Sequence, residues 1–145
     1  MIEKATTKDL NKINDLIDIN NKSDDFYKFP FNLFDDDIHD DMTIAIFITV
    51  KDETITGFLY LHEASASTRN IEAEFEVIVH PDYRLQGIGK DLLTHAVKYA
   101  ETDTSLNLLI AKILKENVAS IKLCEKLGFI QKSENEIGCT LLLKI

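Results

Sequence analysis

The chain has 145 residues and a 45% hydrophobic content, which suits one globular domain spanning residues 1–145. Its formal net charge of −9 argues against non-specific nucleic-acid binding, which draws its affinity from cationic contacts to phosphates. No apolar run approaches the roughly 18 residues that span a membrane, Met1-Ile2-Glu3-Lys4 lacks the features of a signal peptide, and two distant cysteines, Cys124 and Cys139, make no disulfide framework, so a cytoplasmic protein with reduced thiols is expected.

Met1 to Ala5 reads as a short edge strand. Thr6-Thr7-Lys8-Asp9 carries a threonine N-cap and an acid for a first helical turn. Leu10, Ile13 and Ile17 recur at helical spacing with Leu16 beside them, which predicts a helix from about Thr7 to Ile19. Asn20 to Asp24 is turn chemistry. Phe26, Tyr27, Phe29, Phe31, Leu33 and Phe34 follow, interrupted by Pro30, with a short helix around Asn32 to Asp40. Asp24 to Asp41 holds seven aspartates against Lys28, so six of the nine net negative charges lie there. A solvated face and an attractor for a cationic partner both fit that run.

Thr43 to Lys51 is β-rich and apolar on both faces, as in a central strand. Asp52-Glu53 makes a tight turn into a second strand, Ile55 to Glu63, where Gly57 signals a bulge or a close approach. Ala64 to Asn70 is a small polar loop. Glu72 to Val79 alternates, with Ala73, Phe75, Val77 and Val79 on one face and Glu72, Glu74, Glu76 and Ile78 on the other. A helix from Gly87 to about Asp103 is followed by a strand from Leu106 to Ile113, forming a right-handed crossover with parallel strands. Ala119 to Leu127 is a short helix stopped by Gly128. Phe129 to Ser133 and Cys139 to Lys144 close the chain as an antiparallel pair.

The run from Val77 to Leu93 carries the chemistry. Pro81 ends the strand, and Gly87 and Gly89 allow close backbone approach where a helix begins. Free N–H groups and the helix macrodipole make such a start an anion site. A nucleotide P-loop needs Lys-Ser or Lys-Thr after its second glycine, and Gly89 is followed by Lys90-Asp91. A dinucleotide fingerprint needs a third glycine where Leu92 stands.

Instead, Arg84-x-x-Gly87-x-Gly89 after Val-His-Pro-Asp-Tyr closely resembles the acetyl-coenzyme A loop of the GNAT superfamily of N-acetyltransferases. Asn117 to Phe129, ending in Leu127-Gly128-Phe129, is similar to the segment that completes that site. The resemblance implies a mixed, mostly antiparallel sheet of six or seven strands flanked by about four helices. It also implies an acetyl-coenzyme A-dependent N-acetyltransferase acting on a primary amine of a small molecule or protein, and a homodimer is frequent among such proteins. The aromatic segment would supply one wall of an acceptor cleft or simply cover the sheet. Backbone groups around Val77, Ile78 and Val79 would meet the pantetheine arm. N–H groups from Leu85 through Gln86, Gly87, Ile88 and Gly89 to Lys90 would hold the pyrophosphate, with Arg84 opening the loop. Asn117 would meet the cofactor or orient its own loop.

The family's usual proton donor is a tyrosine where this chain has Cys124. The thiol is the candidate acid, against a reading as a small packing residue. The positions that often carry a glutamate base match the apolar Ala73 and Phe75, so Glu76 is the candidate base, with Glu74 nearby on the same face. His80 and His62 are further candidates for proton transfer, since a histidine's unperturbed range is near neutral; His80 reads as structural. His39 and His95 show no ligand spacing, so no metal is expected. An acyl-coenzyme A sensor without turnover, or an enzyme for a longer acyl group, are the alternatives.

Overall fold

The structure, a computed structural model, describes residues 2–23, 32–33, 35–64 and 71–145. Phe26, Tyr27, Phe29, Phe31, Phe34 and the loop at 65–70 lie outside the described residues.

The chain opens with β1 (Ile2–Lys4), a single 3-10 turn (Thr7–Asp9) and α1 (Leu10–Lys22). The Thr6 N–H donates to Asp9 Oδ2 at 2.9 Å, fixing the entry. The helix runs three residues beyond Ile19 because Asn20 is buried rather than a turn residue. Leu10, Ile13, Leu16 and Ile17 are all buried, as their spacing requires. Asn14 clamps the next described segment: its Nδ2 donates to Leu33 O at 2.8 Å and its Oδ1 accepts from Leu33 N at 2.7 Å. The expected short helix is one turn, α2 (Asp35–Ile38).

β2 (Thr43–Lys51) and β3 (Thr54–Glu63) form a hairpin through Asp52 and Glu53, both with positive φ, at 50° and 64°. That turn follows the right-handed twist of the strands without the usual Asn-Gly. Gly57 is a close approach: a Cβ there would come within 2.8 Å of Ile88 Cγ2. β4 (Glu72–Val79) leads through a 3-10 turn (Pro81–Tyr83) to α3 (Ile88–Asp103). β5 (Leu108–Leu114), α4 (Val118–Lys126), β6 (Ile130–Glu134) and β7 (Gly138–Lys144) complete the chain.

The seven strands make one sheet in the order β1-β2-β3-β4-β5-β7-β6. Among the described residues, only β4 and β5 run parallel. β2 is second from the edge rather than central, since the three-residue β1 is its outer neighbour. Two cores follow from strand alternation. On one face Phe47, Leu59, Leu61, Ala73, Leu109 and Leu141 pack with Leu92, Leu93 and Ala96 of α3 and Cys124 of α4. On the other, Ile46, Ile48, Phe58 and Ile78 pack against the stripe of α1. Each fully buried Leu, Ile or Phe contributes about 1.5–3 kcal/mol, so both helical layers are held mainly by these side chains.

Candidate active site

The sheet forks. β4 and β5 pair only from Glu72 to Glu74 against Leu108 to Ile110. Beyond that point β4 stays with β3 to Val79, and β5 stays with β7 to Leu114. Which backbone groups face the fork follows from the register. His80 N donates to Thr56 O, and Ala64 N to Glu72 O, at the two ends of the β3–β4 ladder. Even-numbered residues of β4 therefore bond β3, and Phe75, Val77 and Val79 turn their peptide groups to the gap. Ile78 lines the gap, but its peptide groups turn to β3.

A cavity of about 1270 Å³ fills the fork and continues past Gly87, Ile88 and Gly89 on one side and Asn117 and Ser120 on the other. That exceeds the usual 300–1,000 Å³ of a small-ligand pocket. Gly87 caps α3 with φ of 81°. The first intrahelical bond of α3 is Asp91 N to Gly87 O, so the N–H groups of Ile88, Gly89 and Lys90 stand ahead of it, at the positive end of the helix. The φ of Gly87 favours glycine, but no protein atom crowds either position. A Cβ at Gly87 would meet nothing within 4 Å, and one at Gly89 only Val79 Cγ2 at 3.6 Å. The space is open for a ligand's approach.

The side chains of the expected donor site divide. Arg84 is tied inward, its Nε donating to Val79 O at 3.2 Å and its Nη2 to Asn20 Oδ1 at 3.2 Å. This braces the loop against β4 and α1. Asn117 Oδ1 accepts from Ser120 N at 3.3 Å, capping α4 at the cavity edge. Leu85 stands fully exposed with φ of 62°, and Gln86 and Lys90 are exposed beside it. His80 Nδ1 accepts from Asp82 N at 3.1 Å, a turn contact.

The other side of the fork carries the titratable groups. β3 and β4 place Tyr60 opposite Glu76 and His62 opposite Glu74, all on the α1 face of the sheet. His62 Nε2 lies 2.8 Å from Glu76 Oε2, and Glu74 pairs with Lys112 of β5 at 2.7 Å. His62, Glu74 and Glu76 bring one ligand-type atom each within 4.8 Å of one another. Burial pulls the His62 pKa down, but the hydrogen bond and charge of Glu76 outweigh it, so the imidazole lies above its ordinary 6.5. Its other nitrogen faces Glu63 O at 3.4 Å, so the protonated ring suits both neighbours. Tyr60 stands edge-on to His62. Its hydroxyl meets Thr43 Oγ1 at 2.8 Å, and that oxygen donates to Asp37 O, so the phenol proton points at Thr43. Burial raises the Tyr60 pKa, opposed by the Thr43 bond and assisted by Asp37, Asp40 and Glu76.

Cys124 lines the cavity from α4 but is buried among Leu141, Ala111 and Phe129. Burial, with Cys139 and Glu125 adding, pushes its thiol up to about 12. Sequence reasoning named His62 only as titratable and did not place it with Glu76. The signal was present: Tyr60 and His62 are the polar positions on one face of β3, and Glu74 and Glu76 repeat the spacing on β4.

The sequence profile of the Acetyltransferase (GNAT) family matches residues 10–129. The chain belongs to that family. By this membership it is an N-acetyltransferase, as its two signatures implied. A spermidine N(1)-acetyltransferase of Vibrio cholerae is 24% identical over 131 residues, 86% of this chain and 75% of that protein. Across six curated relatives that it matches, the chain spans from 33% to 75% of their length. The structure of a GNAT-family acetyltransferase from Streptococcus pneumoniae superposes with a TM-score of 0.85 at 16% identity, covering 100% of this chain and 99% of the other. Campylobacter jejuni PseH, solved in complex with acetyl coenzyme A, matches with a TM-score of 0.60 at 25% identity over 73% of this chain and 70% of its own. The mixed seven-stranded sheet with four helices is the expected fold. Among the described residues no helix is long and apolar enough to cross a membrane.

Proposed function

We propose that the enzyme transfers an acetyl group from acetyl-coenzyme A to a primary amine, in the cytoplasm, where both cysteines stay reduced. The fork in the sheet is the observation that carries this reading. An amide-bearing pantetheine arm fits as a pseudo-strand beside the outward peptide groups of Val77 and Val79, and Phe75 extends the row. The turned Ile78 would contribute wall rather than hydrogen bonds. The pyrophosphate belongs at the N–H groups from Leu85 to Lys90, over two glycines that leave space no protein atom uses. Arg84 acts as a brace, and Asn117 sets the α4 edge.

The acetyl thioester then lies where the fork opens, and the amine approaches from the α1 face. There Glu76 is the base, acting with His62 as one unit. The pair takes up the proton that the amine loses, and it is competent once His62 has released its own. Holding both reactants in the fork supplies much of the rate. Carboxylates at 74 and 76, with Asp37 and Asp40 beyond Tyr60, favour an acceptor that arrives as a cation. Cys124 is better suited to packing: a thiol held near 12 protonates a departing thiolate of ordinary basicity only uphill.

Release of free coenzyme A from acetyl-coenzyme A with a broad panel of primary amines tests the assignment. Amine-dependent release above background is the expected result. Tight acetyl-coenzyme A binding with no turnover on any amine would identify a sensor instead. Faster turnover with propionyl- or butyryl-coenzyme A would move the donor to a longer acyl group.

A further inference from the structure

The register places one unbroken row of side chains across six strands on the α1 face: Thr43, His62, Glu74, Ile110, Leu142 and Ile130 are successive partners. The row changes character at the fork. Its first half carries the imidazole and carboxylate. Its second half is apolar, and the opposite face of the same strands is where the α3 and α4 core sits. α1 packs on β3 and β4 and α2 on β2, so these helices cover the first half of the sheet. Ile110 and Leu142 are half-buried, and Ile130 is 73% exposed on the edge strand.

We infer that this apolar half-row is an acceptor subsite, and that the preferred acceptor is a primary monoamine carrying an extended apolar chain. The inference rests on the proposed acetyl transfer at the fork. With the amine at Glu76 and His62, its substituent runs perpendicular to the strands over Ile110, Leu142 and Ile130, roughly 14 Å at the usual strand spacing. The row is one side chain wide, which fits a single chain. A stable protein interface needs about 800 Å² per partner, more than a row one side chain wide offers. The flanks argue against a second ammonium group on the acceptor. Lys112 stands opposite Thr140 on one side of the row, and Lys144 opposite Leu108 on the other. A polyamine would set its distal cation beside Lys144, while Lys112 is held in its ion pair with Glu74.

The test is a series of initial rates with acetyl-coenzyme A and ethylamine, butylamine, hexylamine, octylamine and spermidine. The expected result is a kcat/KM that rises about two- to fourfold per methylene, up to the fourfold of a fully buried one, with hexylamine ahead of spermidine. Leu142→Thr and Ile130→Ser are expected to halve that dependence on chain length or more, while Val50→Thr, on the far side of the sheet, keeps it. Coenzyme A affinity confirms that each variant is folded, and Ile110→Thr replaces any that is not. A flat series, an unchanged slope in Leu142→Thr, or spermidine outrunning hexylamine overturns the subsite while acetyl transfer stands. Failure of every amine, with coenzyme A still bound, overturns the transfer reading and takes the subsite with it.

Discussion

The two sides of the fork are built from different materials. The proposed donor side is backbone: outward peptide groups of β4, N–H groups at the start of α3, and two glycines. The proposed acceptor side is side chains: His62 with Glu76, Glu74 with Lys112, and a row of aliphatics. A backbone site is tuned by conformation, so it should fail when conformation or access changes. A side-chain site is tuned by charge, so it should fail when a proton or an ion pair changes. Substitutions on each side should separate binding from turnover.

The largest expected effect is Gly87→Glu. Like charges about 4 Å apart near a protein surface repel by about 4 kcal/mol, which corresponds to roughly 1000-fold in coenzyme A affinity. The φ of 81° adds strain of about 1–2 kcal/mol in any non-glycine residue, but open space surrounds the position, so the fold survives. Isothermal titration with coenzyme A alongside thermal unfolding separates the two, and retained affinity would break the donor assignment.

Next comes Glu76→Gln. It should lower kcat about 100-fold, the usual scale of a lost general base, with coenzyme A affinity unchanged. The pH dependence gives the sharper sign. Glu76 is what lifts His62 above 6.5 against its burial, so Gln moves the His62 titration to lower pH, readable by NMR of the imidazole. In the wild type, turnover rises as pH passes the raised midpoint. The stability that the pair contributes runs oppositely: it is complete below the unfolded value and is lost as pH rises through the folded one. Glu76→Gln should remove that loss. An unmoved His62 titration would mean that the 2.8 Å contact does not persist in solution.

These two predictions also mark what the sequence made legible. Gly87, Gly89, Asn117 and Leu127-Gly128-Phe129 are local signals, because a backbone site needs particular residues at fixed spacing along one stretch of chain. Strand alternation likewise separates the two faces of β4 within its own eight residues. The His62–Glu76 pair depends on how β3 registers on β4 across the loop at 65–70, and nothing local sets that register. The insertion of β7 between β5 and β6, which creates the apolar half-row, is equally a long-range fact. The family resemblance implies that Ile78 offers its backbone to the cofactor, whereas the β3–β4 register turns its peptide groups to β3.

A third substitution should improve one property while damaging another. Gly89 sits in the first turn of α3 with ordinary dihedrals, and an added methyl meets only Val79 Cγ2. Gly89→Ala should therefore stabilise the free protein by about 0.5–1 kcal/mol, since glycine is the poorer helix former. The same methyl crowds the approach of a pyrophosphate, and about tenfold weaker coenzyme A binding is expected, the lower end of an overpacking penalty. Higher Tm with weaker binding would place the requirement for glycine on the ligand; higher Tm with full binding would move the phosphates elsewhere.

The smallest effect belongs to Cys124, which lines the cavity from α4. Its thiol is near 12 because it is buried, with Cys139 and Glu125 adding, so it neither ionises at neutral pH nor gives up its proton readily. Cys124→Ala should leave kcat within about twofold at every pH, and cost about 1 kcal/mol of stability, the scale of one buried methylene-sized group. The chemistry then needs no side-chain acid at this point, and water at the cavity mouth or the incoming amine's own proton serves the leaving thiolate. A loss of tenfold or more, growing towards alkaline pH, would instead make the thiol the donor despite its burial, and would place the acid of the reaction on the α4 wall.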